Sequence, residues 1–360
     1  MVRECAPVPR RPTRTALALT LSLAAACKSV GPPRTVQDRF DYSEALSRSW
    51  KEQMLLNLVK IRYADAPVFL DVSSVIAQYG LQGQLSAGAE FPADTGITTG
   101  MVGGTVQWSD RPTITFQPLT GQKFTKSLLT PIAPAAVMDL VQAGWPVDIT
   151  FRVVVRAING IQAGTRSRLN GQAEDPRFAK VVDALRRLQQ KGAMAVRVEK
   201  KGANEATLLV ISRFADEETV ADRRYIAETL GLEPGAEQYD LVFGTVNASR
   251  TELALLSRSI LEILTDLSFD IEVPPEHAQD GRTGTPLPAE LQKASSFKVL
   301  SGRSRPTDAF AAVRYENYWF WIDDRDFASK RAMSFMLVLI ALTETCTAPA
   351  APTLTISTGN

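Results

Sequence analysis

The amino-acid sequence predicts an α+β protein in which a long amphipathic β-hairpin is joined to a mixed β-sheet flanked by helices. Three observations lead there. From Val75 to Phe91, VIAQYGLQGQLSAGAEF, the odd positions are apolar or small and almost every even one is polar or glycine, which is the two-residue period of an extended strand. From Val147 to Leu267 the pattern changes to strand-like runs alternating with helix-like ones. Near the carboxy terminus AMSFMLVLIAL, residues 332–342, is apolar all round; at eleven residues it suits a helix buried against a sheet better than a membrane span.

At the amino terminus, Arg10, Arg11 and Arg14 precede ALALTLSLAAA, an apolar run from Ala16 to Ala26 that is too short for a permanent span and reads as a signal peptide over residues 1–26. Pro12 and Thr13 follow the arginine pair, so the general secretory route fits better than twin-arginine export. The run closes in Leu23-Ala24-Ala25-Ala26-Cys27, which resembles the lipobox of bacterial lipoproteins, with Ala24 where that motif usually carries leucine. The resemblance implies cleavage before Cys27 and acylation of its thiol. Because Lys28 is not the aspartate that retains such proteins at the inner membrane, it further implies a lipid-anchored, periplasm-facing protein of the outer membrane. Several acyl chains, at about 0.8 kcal/mol per buried methylene, anchor a protein stably where a single chain does not.

Composition fits an exported folded protein, at 45% hydrophobic and 22% charged over 360 residues. Loss of residues 1–26 removes four arginines and one glutamate and takes the formal charge from +1 to −2, which gives no basic surplus for nucleic acid. Of three cysteines, Cys5 leaves with the signal and Cys27 is the acylation site, so Cys346 has no partner for an internal disulfide.

Residues 27–40, with Pro32 and Pro33 and little periodicity, read as a tether. The next unit, 41–147, opens with a helix started by Asp41 and Glu44, with Leu46, Trp50, Met54, Leu58 and Ile61 on one face, and ended by Ala66-Pro67. The hairpin follows, its second strand running from about Ile97 to Phe116, and then two short helices broken by Pro131 and Pro134 and closed near Gly144. Unit 148–278 reads as a strand at 148–157, a helix at 176–190, strands at 193–199 and 206–213, a helix at 216–230, a strand at 239–246 and a helix at 249–267. That β-α-β-β-α-β order resembles ferredoxin-like or ring-building units. A linker at 279–295 leads to unit 296–360, expected to pack on the α/β unit. It holds a hairpin ending in AVRYENYWFWIDD, the apolar helix and a closing strand, PTLTIST.

The chemistry-bearing residues are sparse. The single histidine, His277, has no GxSxG elbow or metal-ligand companions and reads as a loop or surface residue. Asp323, Asp324 and Asp326 lack the glycine-turn spacing of a calcium loop, and Asp323 or Asp324 stands where a helix cap is needed. No phosphate-binding loop follows the glycines, so the sequence points to no catalytic residue, metal or cofactor. Two features remain. Tyr318, Trp319, Phe320 and Trp321 form either an aromatic platform for glycan or part of the core. Tyr79, Leu81, Leu85, Phe91, Val106 and Trp108 form a row facing either lipid or the soluble body. The expected role is a non-catalytic scaffold or envelope-interaction protein, acting with an envelope protein or further copies of itself. The alternative is an oligomeric pore or secretion component to which each subunit contributes the 75–116 hairpin, similar in architecture to the curli secretion channel.

Overall fold

The computed structural model describes residues 32–76, 79–90, 99–110, 113–119, 122–164, 174–201, 204–212, 216–284 and 297–343. The fold is α+β, as the periodicities predict. Cys27, Phe91 and the closing strand PTLTIST lie outside the described residues, as does most of the 279–295 linker.

Helix α1 runs from Pro32 to Arg62, with proline in its first turn, where the missing N–H costs nothing, and Lys60 and Arg62 in its last turn, where they face the negative end of the dipole. Its carboxy-terminal half is core: Met54, Leu55, Leu58 and Val59 are buried. Its amino-terminal half exposes Val36, Phe40 and Trp50 but buries Asp38, with Tyr42 and Leu46 half-buried. Residues 32–40 are helix, not tether. Apolar positions are too few there to form a stripe that announces the helix, and Glu44 serves inside it as the partner of Arg48 (3.1 Å) rather than as a cap. The helix stops at Ala64, which adopts a left-handed conformation (φ 59°).

Strands β1 (Phe69–Ile76), β2 (Tyr79–Glu90), β3 (Thr99–Asp110) and β4 (Thr113–Leu119) make the hairpin, β1 on β4 and β2 on β3, both antiparallel. Helices α2 (Gln122–Leu129), α3 (Pro134–Gln142) and α4 (Val147–Val154) then lead into β5 (Val155–Ile158) and β6 (Ile161–Gln162), joined through the positive-φ pair Asn159 and Gly160. The strand expected at 148–157 is thus mostly helix. Its β-branched residues suggest a strand, but Val147, Thr150, Phe151 and Val154 are the buried positions, and that spacing is helical.

The six-stranded sheet is completed by α5 (Pro176–Gln190), β7 (Met194–Lys201), β8 (Asn204–Ile211), α6 (Glu217–Leu230), β9 (Gln238–Phe243) and β10 (Glu252–Ser257), in the order β6-β5-β10-β9-β8-β7. Only β9 and β10 are parallel. Asp175 and Asp216 cap α5 and α6 through the amides of Arg177 and Thr219. The helix expected at 249–267 divides into β10 and α7 (Ile260–Ser268), because ELALLS is buried on both faces at the centre of the sheet and carries no period of its own. Arg258, between them and 2% exposed, donates to the carbonyls of Arg152 and Val153, capping the end of α4, and to that of Gly164.

A short helix α8 (Pro275–Gln279) precedes a three-stranded antiparallel sheet of β11 (Leu300–Gly302), β12 (Ala309–Tyr315) and β13 (Tyr318–Asp323), in the order β11-β13-β12, and then α9 (Phe327–Thr343). Residues from α1, both larger sheets and α9 share one continuous hydrophobic core. In α9, Met333, Phe335, Met336 and Leu339 are buried while Leu342 is exposed, and no helix among the described residues is long and apolar enough to cross a membrane. Its cap is Asp326, which accepts from the amide and hydroxyl of Ser329, not Asp323 or Asp324.

Candidate functional site

Two places concentrate the polar chemistry. The first lies where the end of α1, α8 and the β12–β13 hairpin meet. His277 is buried there (2% exposed) rather than on a loop surface, with the Tyr63 hydroxyl 2.7 Å from its Nδ1 and the Tyr318 ring 5.1 Å away, edge to face. Burial pushes the Tyr63 hydroxyl well above the usual tyrosine range, so it keeps its proton and pairs with Nδ1 in either imidazole tautomer. Tyr318 donates to Glu276 (2.8 Å), Arg303 bonds both of them, and this hydrogen bonding holds the Glu276 carboxyl below its ordinary range. Tyr315 reaches Asp65 at 3.3 Å, and Arg282 of the α8 loop lies 3.6 Å from Glu316 in the hairpin turn. The result is a clasp between segments more than two hundred residues apart, with an imidazole engaged by tyrosines. It suits joining these segments, not proton transfer to a substrate.

The aromatic residues of β13 divide between two faces. Phe320 is fully buried, Tyr318 belongs to the clasp, and Trp319 and Trp321 are half-buried on the other side. There Arg305 lies 5.3 Å over Trp319 and the Trp321 ring presses on Gly302, so the four residues do not form one platform. No cluster of three or more His, Cys, Asp or Glu positioned for a metal occurs among the described residues.

The second place is the hairpin and its root. Asn57 on α1, 1% exposed, uses its side-chain amide as a rung, donating to the Val68 carbonyl and accepting from the Val68 amide, both at 2.9 Å. One helical turn earlier Gln53 donates to the Leu70 carbonyl at 3.1 Å. Rising strand numbers therefore meet falling helix numbers: β1 leaves the body antiparallel to α1, towards the helix's amino terminus. Phe69 is inserted in the core against Phe124 (5.6 Å), and the ribbon begins beyond it.

The pairing keeps one register from Ser74↔Thr115 through Ile76↔Thr113 and Tyr79↔Asp110 to Glu90↔Thr99. Apolar positions meet apolar or glycine ones, as in Leu81↔Trp108, Gly83↔Val106 and Leu85↔Gly104, while Gln82↔Gln107 and Gln84↔Thr105 pair polar with polar. A bulge between Val72 and Ser74 advances the count by one residue, which brings Leu70 and Val72 into step with the odd-numbered row from Val75 onward. Leu70, Ile114 and Phe116 of this row are exposed and Val72 and Val75 are half-buried, and β2 and β3 make no substantial contact with any other described element. Of these residues the sequence exposed the row; it concealed Asn57, Gln53, Tyr63, Glu276 and Arg303, since a helical polar residue carries no mark of the strand it will hold.

Comparison of the chain with models of protein families, with curated proteins and with solved structures gave no match.

Proposed function

We propose that this chain is a lipid-anchored outer-membrane protein that acts by assembly rather than catalysis, its body holding the 69–119 hairpin out as an arm. The observation that carries the reading is the ribbon itself. It has two strands in uniform register and one row of apolar positions, of which Leu70, Ile114 and Phe116 near the root are exposed. An isolated two-stranded ribbon is marginal in water, and its open edges are templates for further strands. With Gly80, Gly83, Gly88, Gly100, Gly103 and Gly104 in β2 and β3 it gains little from side-chain packing within itself. The small-residue run ending at Cys27 supports the anchor, and the clasp around His277 supports a body built for rigidity.

The anchor is tested by mass spectrometry of the mature amino terminus together with fractionation of Cys27→Ala. Acyl mass on the wild type, and a variant that moves to the periplasmic fraction or stays an uncleaved precursor, are expected. An amino terminus without acyl mass defeats the localisation. For the arm, removal of residues 79–110 is expected to leave the body folded and to abolish assembly seen by sedimentation. Unchanged assembly would dismiss the arm's role.

A further inference from the structure

We infer that β2 and β3 are a membrane-spanning unit, and that several copies of this chain each contribute one such hairpin to a closed barrel through the bilayer that holds the anchor. The inference rests on the anchoring at Cys27 proposed above.

Direction and length carry it together. From Gln53 back to Pro32, α1 covers about 32 Å at ~1.5 Å per residue, whereas from Leu70 to Glu90 the strand covers about 66 Å at ~3.3 Å per residue. Since β1 starts alongside Gln53 and heads the same way, the ribbon draws level with the start of α1 near Tyr79 and continues for about 34 Å beyond it. The five residues from Cys27 to Pro32 reach at most about 17 Å, so they do not carry the anchor past the ribbon's tip. A lipid surface at Cys27 therefore meets the ribbon within β2 and β3.

Those strands have the composition that a bilayer requires. Each is twelve residues long, and at a tilt near ~45° such a strand rises about 28 Å, close to the ~30 Å hydrocarbon thickness. In a chain that is 22% charged, the only ionisable side chains of β2 and β3 apart from Tyr79 are Glu90 and Asp110, one at the tip end and the other at the root end. Between them apolar and polar positions alternate in paired rows, as a barrel with lipid outside and water inside demands. Helix-free strands in lipid must also close, because each unpaired N–H or C=O there costs several kcal/mol. One hairpin cannot close a barrel, and the remaining strands are assigned to other chains. Another copy of the same chain is the partner that offers the same length, depth and alternation.

Single cysteines from Gln78 to Gly88, in a Cys346→Ala background that keeps Cys27, test this in native envelopes. Positions 82, 84 and 86 are expected to react with a water-soluble thiol reagent, and 81, 83, 85 and 87 only with a lipid-phase one. The particle extracted in mild detergent is expected to have a single mass several times that of the chain. Leu81→Arg with Leu85→Arg should lower the ion conductance of reconstituted vesicles at least tenfold, while Gln82→Arg with Gln84→Arg should keep the assembly and shift its selectivity towards anions. Odd positions silent to the lipid-phase reagent, or a monomeric particle, would overturn the inference. The label pattern is read on the hairpin itself, so it decides insertion whatever mass the amino terminus carries, and failure of the anchor and failure of the barrel remain distinguishable.

Discussion

The hydroxyl of Tyr63 carries more of the body's cohesion than its position just past a helix end suggests. It is hydrogen-bonded to a nitrogen of His277, a residue 2% exposed, so replacing it by phenylalanine leaves a buried ring nitrogen without that partner. Tyr63→Phe is expected to destabilise the body by about 1–3 kcal/mol, measured by urea unfolding. The pH dependence follows from the same burial. Tyr63, Tyr239 and Tyr315 all titrate above the ordinary tyrosine value of 10.0, chiefly because burial disfavours the phenolate. Their contribution is complete below pH 10.0; above it the unfolded chain loses protons that the folded one keeps, so stability falls as pH rises. Tyr63→Phe should flatten that alkaline fall. Glu276 acts in the opposite sense: held down by its hydrogen bonds to Tyr318 and Arg303, its carboxylate favours the fold above the ordinary glutamate value of 4.5, an advantage lost as pH drops through the folded value.

Among elements, the hairpin depends on one misfit. Ser73 has no partner across the ladder, and the bulge that absorbs it keeps the apolar row continuous from the root at Leu70 through Val75 and beyond. Deleting Ser73 removes the bulge and the extra residue together, so Val72↔Phe116 and Ser74↔Thr115 become consecutive pairs and both rows keep their faces. The deletion is expected to leave urea unfolding of the body within about 1 kcal/mol of wild type and to preserve the alternate labelling of the residues from Gln78 to Gly88. Exchanged labelling would mean that the unpaired residue itself sets the phase. Legibility in the sequence follows the same physics. Helices α5 and α6 are readable almost to the residue, because Asp175-Pro176 and Asp216 announce their starts and one face of each is buried. The hairpin is readable because its two rows differ in polarity. By contrast β10 has the same surroundings on both sides, the outer half of α1 exposes most of its residues, and α4 is built from residues that favour strands, so none of them displays its true period. The clasp at His277 joins residues 63, 277 and 318, and nothing local to any one of them foretells the other two.

In the proposed assembly α1 acts as a ruler. Its inner half is fixed in the core and pinned to the hairpin's root, and its outer half, mostly exposed, leads towards the proposed anchor. The depth to which the ribbon reaches is then the difference between two rigid lengths with a common origin at Gln53 and Leu70. Inserting seven helix-forming residues after Ser43, in the exposed half, lengthens the ruler by about 10 Å while roughly keeping the helical phase. This draws the ribbon back by about three residues per strand. The lipid-phase label is expected to disappear from positions 79 and 81 and to persist at 85 and 87, with lower vesicle conductance. Seven glycine and serine residues placed instead between Cys27 and Pro32 add slack without adding rigid length, and the label should stay where it was. Equal patterns from the two insertions would show that α1 does not set the depth, because a flexible tether and a rigid one differ only in whether they push.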